Sequence, residues 1–151
     1  MDLKEYITEK QIVVEKNLKT KSDFFNKIAE VAYDNKIISS KEEVIQGLEE
    51  RESKGTTGLL DGFAIPHAQK DTISRPAVVI VKSMNEVEWE TLDGSFVKTA
   101  ICLLVPKSQA GSTHIDFLTE VSRLLMDDDF RADLNKLTDK ESIYNLLLER
   151  L

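Results

Sequence analysis

The sequence predicts an α/β fold, or a closely mixed α+β fold, in which helices pack in layers on a sheet. Two observations support this prediction. Short runs rich in β-branched residues alternate with longer segments whose apolar residues recur at helical spacing. The run at 77–82 is almost entirely apolar, which is typical of a central strand covered on both faces. Because no repeat or linker divides the chain, we expect one domain over residues 1–151.

Composition and charge argue against several classes of function. The 151 residues are 41% hydrophobic and 31% charged, and the formal net charge of −7 disfavours binding to nucleic acid. No apolar run approaches the roughly 20 residues of a membrane span, and the N-terminus lacks the order of a signal peptide. Cys102 is the single cysteine, so an internal disulfide is excluded, in keeping with a reducing cytoplasm.

The N-terminal third predicts a strand followed by two helices. Residues 11–15 are short and β-branched, which favours a strand. Thr20 and Asp23 have the spacing of a capping box, so we expect a helix that begins there and ends near Asn35. A second capping box at 40–43 opens the next helix.

Arg51 lies near the end of that second helix, where on spacing alone it is a solvent-exposed cation favoured by the helix dipole. A loop at 55–62 then leads to a short apolar run, 63–65. Pro66 fixes its own φ and keeps the preceding residue extended, so we expect a strand to end there with His67 at its mouth. The loop lacks the Gly-Lys-Ser/Thr ending of a nucleotide-binding loop, and ATP binding is not expected.

The second half of the chain predicts further strands and three helices. The strongest strand signal is 97–105, which ends at a proline. Between it and 77–82 we expect a polar bend at 83–86, a turn at 92–94, and Trp89 packed against a sheet edge.

Three helices fill the C-terminal third. Thr113 and Asp116 have the spacing of an N-cap and its third residue, which places His114 in the first turn of a long helix. The acidic run 127–129 breaks that helix and begins a shorter one, and residues 138–141 cap the last.

The chain has only two histidines, and each lies at the boundary of a predicted element. Sites in open α/β sheets gather outside strand ends and beside helix N-termini, so His67 and His114 could share one crevice. Two unrelated histidines, one structural and one exposed, remain an equally good interpretation of the spacing.

The stretch 51–67 resembles the active-site segment of the enzyme IIA domains of the phosphotransferase system (PTS), of the fructose/mannitol type. That pattern runs Arg-Glu, Thr-Gly, and then a glycine-punctuated turn into Ala-Ile-Pro-His. The matching residues are Arg51-Glu52, Thr57-Gly58, Gly62 and Ala64-Ile65-Pro66-His67, with Leu60 where the family usually has another glycine. Ile115, after the second histidine, replaces the common leucine, and the resemblance covers nearly the whole chain.

The resemblance implies a mixed parallel and antiparallel sheet with helices on both faces, and the role of a phosphohistidine carrier. His67 matches the phosphorylated histidine, His114 the second family histidine and Arg51 the upstream arginine. The phosphoryl group would come from the phosphocarrier HPr and pass to a cysteine of enzyme IIB, which serves a membrane enzyme IIC. Fructose is the favoured sugar, with mannitol next; no cofactor, metal ion or membrane insertion is implied.

Each residue type suits that chemistry. A neutral imidazole at His67 is nucleophilic near physiological pH, and phosphoryl transfer depends on alignment and on charge stabilisation at three equatorial oxygens. His114 could donate a hydrogen bond to those oxygens, and Arg51 a forked pair of charged donors. Thr56 or Thr57 could add a hydroxyl.

Two other interpretations remain open at this point. The chain could be an enzyme IIA-like regulator, whose phosphorylation state controls another protein through the same site. It could also be a small metallohydrolase that uses His67, His114 and a carboxylate such as Asp116. The sequence disfavours the metallohydrolase, because it lacks the pair of histidines one helical turn apart that is typical of zinc sites.

Overall fold

The computed structural model describes residues 2–151. The strands are β1 (Ile12–Glu15), β2 (Phe63–Ala64), β3 (His67–Lys70), β4 (Ala77–Val87) and β5 (Val97–Pro106). The helices are α1 (Lys21–Asp34), α2 (Lys41–Ser53), α3 (Ser112–Leu125), α4 (Asp128–Lys136) and α5 (Lys140–Arg150). None of these helices has both the length and the apolar character that a membrane span requires. The predicted α/β class is confirmed.

The five strands form one mixed sheet in the order β1-β4-β5-β2. The strand β3 also pairs with β5, as β2 does. β4 and β5 are antiparallel, whereas the other pairs are parallel. Phe63 lies opposite Thr99 and His67 opposite Leu103, so β2 and β3 are two parts of one interrupted edge strand. The interruption lies at Pro66, which has no N–H but still accepts a hydrogen bond from the Leu103 N–H (3.0 Å).

Side chains of β4 and β5 alternate between two hydrophobic cores, because successive strand residues point to opposite faces. One core contains Val79, Val81 and Cys102 packed with α1 and α2. The other contains Val78 and Ile80 packed with α3, α4 and α5. Helices therefore cover both faces of the sheet, as expected for strands that are apolar along nearly their whole length.

Side-chain caps fix where most of the helices begin. The capping box of Thr20 and Asp23 is present at the start of α1, and Ser40 accepts a hydrogen bond from a backbone N–H of α2. Asp127 caps α4 and Asp139 caps α5, so the acidic run opens a helix as predicted. Such caps satisfy N–H groups that the helix itself leaves unpaired.

The predicted polar bend at 83–86 is wrong. β4 continues through these residues to Val87, which pairs with Val97, and the ladder shifts register between Lys82 and Val87. An irregularity of this kind lets a strand absorb polar residues without leaving the sheet. The turn at 92–94 is confirmed, with a positive φ of 80° at Gly94.

Trp89 is buried, with 4% of its surface exposed, and it packs edge-on against Phe24 and Phe25 at ring distances of 5.6 and 5.7 Å. The expected packing role is confirmed, but these ring contacts are with helix α1 and not with a sheet edge. The connection between β4 and β5 is thereby attached to α1 and held close to the C-terminal end of α2, where Arg51 lies.

Candidate active site

Arg51 lies in the last turn of α2 with its guanidinium fixed on two sides. Its Nε donates a hydrogen bond to His67 Nε2 (3.0 Å), and its Nη1 donates to the carbonyl of Gly55 (2.7 Å). A helix-end cation can reach a carbonyl at the end of its own helix, but it would not donate to an imidazole on a neighbouring strand. Arg51 therefore belongs to the surroundings of the histidine.

His67 is 7% exposed and its tautomer follows from its two hydrogen bonds. Nδ1 lies 2.9 Å from the carbonyl oxygen of Ile65, which can only accept, so Nδ1 carries the proton. Nε2 accepts a hydrogen bond from Arg51 and therefore holds the lone pair. The result is a neutral imidazole with its nucleophilic nitrogen turned towards the arginine.

The prediction that His67 ends a strand is wrong. The strand before it stops at Ala64, and His67 is the first residue of β3. The physical reason is that Pro66 interrupts the ladder for only a short stretch, after which the chain pairs with β5 again. The break still serves the site, because the carbonyl of Ile65 is free to accept from the imidazole.

His114 comes from α3, which packs on the face of the sheet opposite to α2. Its ring centroid lies 4.9 Å from that of His67, with the planes tilted by 50°. Thr113 is not the N-cap: Gly111 takes that position with a φ of 94°, and α3 begins at Ser112. A glycine tolerates this φ, so the chain turns into the helix earlier than the side-chain pattern indicates. His114 remains in the first turn.

A cleft of about 430 Å³ contains the two imidazoles. Its other lining residues are Gly47, Glu50, Arg51, Lys54, Ala68, Gln69, Lys70 and Lys107. Four of these side chains are cationic and one is a carboxylate, which pairs with Lys70 at 3.5 Å. The cleft is therefore locally positive in a chain of net charge −7, which suits an anionic group.

Burial lowers the pKa of His67 below its usual 6.5, and the charge of Arg51 lowers it further, against opposing effects of the Ile65 carbonyl and Glu52. Burial likewise lowers the pKa of His114, and so do the repulsion that a protonated His67 would exert and the charge of Arg51. Both histidines are therefore neutral at pH 7. His67 is then a nucleophile and His114 a hydrogen-bond donor.

A pH titration of the two imidazoles should show this directly. Since their pKa values in the folded state lie below 6.5, the neutral forms should persist as the pH falls from about 8 through 6.5. Below that pH an unfolded chain takes up more protons than the folded one, so stability should decrease towards acid. Nitrogen-detected NMR of the side chains measures both pKa values, and a pKa of His67 above 6.5 would contradict the geometry.

Glu52 organises the loop after α2. The resemblance includes it only as part of the Arg-Glu pair and assigns no role to its side chain. Its carboxylate is 6% exposed and accepts hydrogen bonds from Trp89 Nε1 (2.9 Å), Thr57 N (3.0 Å) and Thr57 Oγ1 (2.6 Å). Thr56 Oγ1 lies 3.1 Å from the same carboxylate and closer still to the carbonyl oxygen of Glu90, so its one hydrogen is shared between these two acceptors. The expectation that Thr56 or Thr57 offers a hydroxyl to the site is wrong, because the Thr57 hydroxyl is directed to Glu52 and the Thr56 hydroxyl to Glu52 and Glu90.

The loop at 55–62 is packed tightly against the connection between β4 and β5. A Cβ at Gly58 would lie 2.2 Å from the carbonyl oxygen of Glu90, so that position requires glycine. Asp61 and Gly62 have the positive φ values of the turn, 56° and 84°, whereas Leu60 does not. The leucine that replaces the usual family glycine is therefore accommodated without strain.

The described residues, 2–151, contain no group of three or more His, Cys, Asp or Glu side chains that could hold a metal ion. Asp116, the carboxylate considered for a metallohydrolase, is exposed and does not line the cleft. The Nε2 lone pair of His67, which a metal would need, already accepts from Arg51. The donor set fits an anion rather than a cation.

Comparison with known proteins identifies relatives along nearly the whole chain. Residues 5–150 match the family model described as phosphoenolpyruvate-dependent sugar phosphotransferase system, EIIA 2. A PTS system fructose-specific EIIABC component of Mycoplasma pneumoniae is 32% identical over 87% of this chain and 19% of its own length. A PTS system fructose-specific EIIA component of Haloferax volcanii is 30% identical over 86% of this chain and 84% of its own length. The chain thus spans only about a fifth of the first relative.

Solved structures share the fold. The nitrogen regulatory protein IIA-Ntr of Neisseria meningitidis superposes with a TM-score of 0.85 at 24% identity, covering 95% of this chain and 97% of its own. Enzyme IIA-Mtl of Escherichia coli, in complex with phosphorylated enzyme IIB-Mtl, superposes with a TM-score of 0.79 at 19% identity, covering 95% and 98%.

Proposed function

The chain belongs to the phosphoenolpyruvate-dependent sugar phosphotransferase system EIIA 2 family, and from that membership we propose that it is a phosphohistidine carrier. Nε2 of His67 accepts a phosphoryl group from phospho-HPr and passes it to a cysteine of a cognate enzyme IIB in the cytoplasm. The observation that carries this proposal is the neutral tautomer of His67, whose lone pair opens into a cationic cleft.

Acceptance of the phosphoryl group begins with the release of Nε2 by Arg51. The lone pair of Nε2 then forms a bond to phosphorus as the phosphorus–nitrogen bond of the donor breaks, and the electron pair of that bond remains on the donor imidazole. Nδ1 of His67 keeps its proton and its hydrogen bond to the carbonyl of Ile65, which stabilises positive charge on the ring. Once Nε2 is phosphorylated, Arg51 donates to phosphoryl oxygens instead.

His114 and the basic side chains act on the oxygens. His114 lies in the first turn of a helix, where backbone N–H groups are unpaired and an anion is favoured. A neutral imidazole there donates a hydrogen bond without adding the repulsion that a second cation would bring to a charged His67 ring. Lys54 and Lys107 add positive potential at the rim of the cleft.

Fructose is the sugar we propose for the transport pathway, with mannitol next, because fructose-specific proteins are among the relatives. A regulatory role is the second candidate, favoured by a nitrogen regulatory protein of Bradyrhizobium diazoefficiens that is 32% identical over 69% of this chain. The two roles share the same site. Transfer to purified enzyme IIB proteins separates them, since a purely regulatory protein would not pass on its phosphoryl group at a useful rate.

The experiment that tests the proposal is phosphorylation in a mixture of phosphoenolpyruvate, enzyme I and HPr. We expect one acid-labile phosphoryl group per chain, because phosphohistidine hydrolyses in acid whereas phosphoserine does not. Omission of HPr is the control. Absence of phosphorylation in the complete mixture would contradict the proposed function.

Replacing Arg51 by lysine should slow transfer ten-fold or more, which corresponds to about 1.4 kcal/mol or above. Lysine keeps the charge but loses the planar fork that reaches His67 and Gly55 together. Stopped-flow transfer from phospho-HPr measures the rate, and Lys54→Arg, on the same rim, is a matched control. Equal rates for Arg51→Lys and the wild type would show that only the charge matters.

A further inference from the structure

Gly47 is buried in the middle of α2 and lines the cleft of the two histidines. Glycine is the least favourable helix residue apart from proline, so its presence within a helix calls for a packing reason. Gly47 precedes Arg51 by four residues, which places both on the same face of the helix. That face packs on β3, the strand that begins with His67.

A side chain at position 47 has little room against β3. An added Cβ would lie 3.2 Å from the Cβ of Ala68, and 3.0 and 3.2 Å from Cε and Cγ of Lys70. The lysine chain is flexible and can move aside. Ala68 cannot, because its Cβ is fixed by a backbone that pairs with β5. The helix would therefore have to rise from the strand by a few tenths of an ångström.

We propose that Gly47 is a positioning residue: its missing side chain sets the height of α2 above β3, and so holds Arg51 Nε 3.0 Å from His67 Nε2. The other hydrogen bond of Arg51, to the carbonyl of Gly55, cannot compensate for a displacement of α2. Gly55 follows directly on the C-terminal end of the same helix and moves with it.

The expected effect of Gly47 on the transfer rate rests on the proposed function. The expected effect of Gly47 on the position of Arg51 can be tested without any transfer. A misplacement of 1 Å can cost about 100-fold in rate, so a shift of roughly half that size predicts a loss of about ten-fold. As the charge of Arg51 moves away from the imidazole, the pKa of His67 should rise, since that charge now lowers it.

The test compares Gly47→Ala with the double variant Gly47→Ala/Ala68→Gly, which removes the methyl group that the new side chain meets. Gly47→Ala should transfer the phosphoryl group from phospho-HPr about ten-fold more slowly than the wild type and show a raised pKa of His67 by NMR. The double variant should restore both quantities. Gln46→Ala, an exposed neighbour on α2, is the control and should change neither, and Ala68→Gly alone is measured as the reference for the double variant.

An unchanged pKa of His67 in folded Gly47→Ala, or a change that Ala68→Gly does not reverse, would overturn the inference. If Gly47→Ala does not fold, Ala68→Ser adds bulk to the same contact from the strand side, and the same two readouts apply. Failure of the wild type to accept a phosphoryl group would instead contradict the proposed function, and the pKa comparison would still decide the role of Gly47.

Discussion

His67→Ala and His67→Gln should abolish phosphorylation of the chain in the presence of phosphoenolpyruvate, enzyme I and HPr. In the proposed transfer the lone pair of Nε2 forms the bond to phosphorus, and the contact of Nδ1 with Ile65 fixes the tautomer that has this lone pair. Glutamine retains an oxygen that can accept from Arg51, but its amide nitrogen is not nucleophilic. The glutamine variant therefore separates the chemical role of the imidazole from its role in packing.

Mass spectrometry of the intact chain and of its peptides measures the outcome, with gentle handling because the modification is acid-labile. Circular dichroism of both variants shows whether they fold. Recovery of the phosphoryl group on His114 or on a serine, in the wild type or in either variant, would overturn the assignment of His67 as the carrier.

His114→Ala should fold, bind HPr and pass its phosphoryl group onward about a hundred-fold more slowly than the wild type. Loss of one preorganised donor costs other enzymes roughly 10²–10³ in rate, and His114 is placed to be such a donor 4.9 Å from His67, centroid to centroid. Little of the fold depends on its side chain, which is half-buried and whose Nδ1 makes no hydrogen bond to any described residue.

Stopped-flow transfer to enzyme IIB measures the onward rate, and circular dichroism controls for folding. His114→Gln is the matched variant, because an amide retains a donor near the same place and should recover part of the rate. Onward rates equal to those of the wild type in folded His114→Ala would show that the second histidine does not take part.

The sequence alone was sufficient to predict the elements that are determined by neighbouring residues. The capping box of Thr20 and Asp23 and the apolar run that became β5 depend on neighbouring residues, and the structure has both. Its local signals failed for the N-cap of α3, where Thr113 has the pattern of a cap but Gly111 takes the position, although His114 lies in the first turn as predicted. A helix can begin at a glycine that adopts a positive φ or at a residue whose side chain caps it. The pattern of polar residues does not show which of the two begins the helix.

The arrangement of the site could be predicted only by resemblance. The contact between Arg51 and His67 joins the end of a helix to the start of a strand, and no periodicity in the chain specifies that distance. The resemblance marks Glu52 only as the partner of Arg51 in the sequence pattern, and helical spacing alone gives its side chain no buried role. Its burial follows from Trp89, which folds back from the connection between β4 and β5.

Interruption of the edge strand at Pro66 also limits unwanted association. β2 and β3 form the last strand of the sheet beyond β5, and the loop before β2 covers it, since Leu59 N–H donates to the Phe63 carbonyl and Ile65 N–H to the Thr57 carbonyl. An unbroken edge would offer a row of backbone donors and acceptors to any passing extended segment, which is a common route to aggregation. Here the longest uninterrupted stretch is the four residues of β3, and the proline before it has no N–H to donate. The same break that frees a carbonyl for the imidazole therefore leaves only the short strand β3 without a further backbone partner, which gives an extended segment little edge to pair with.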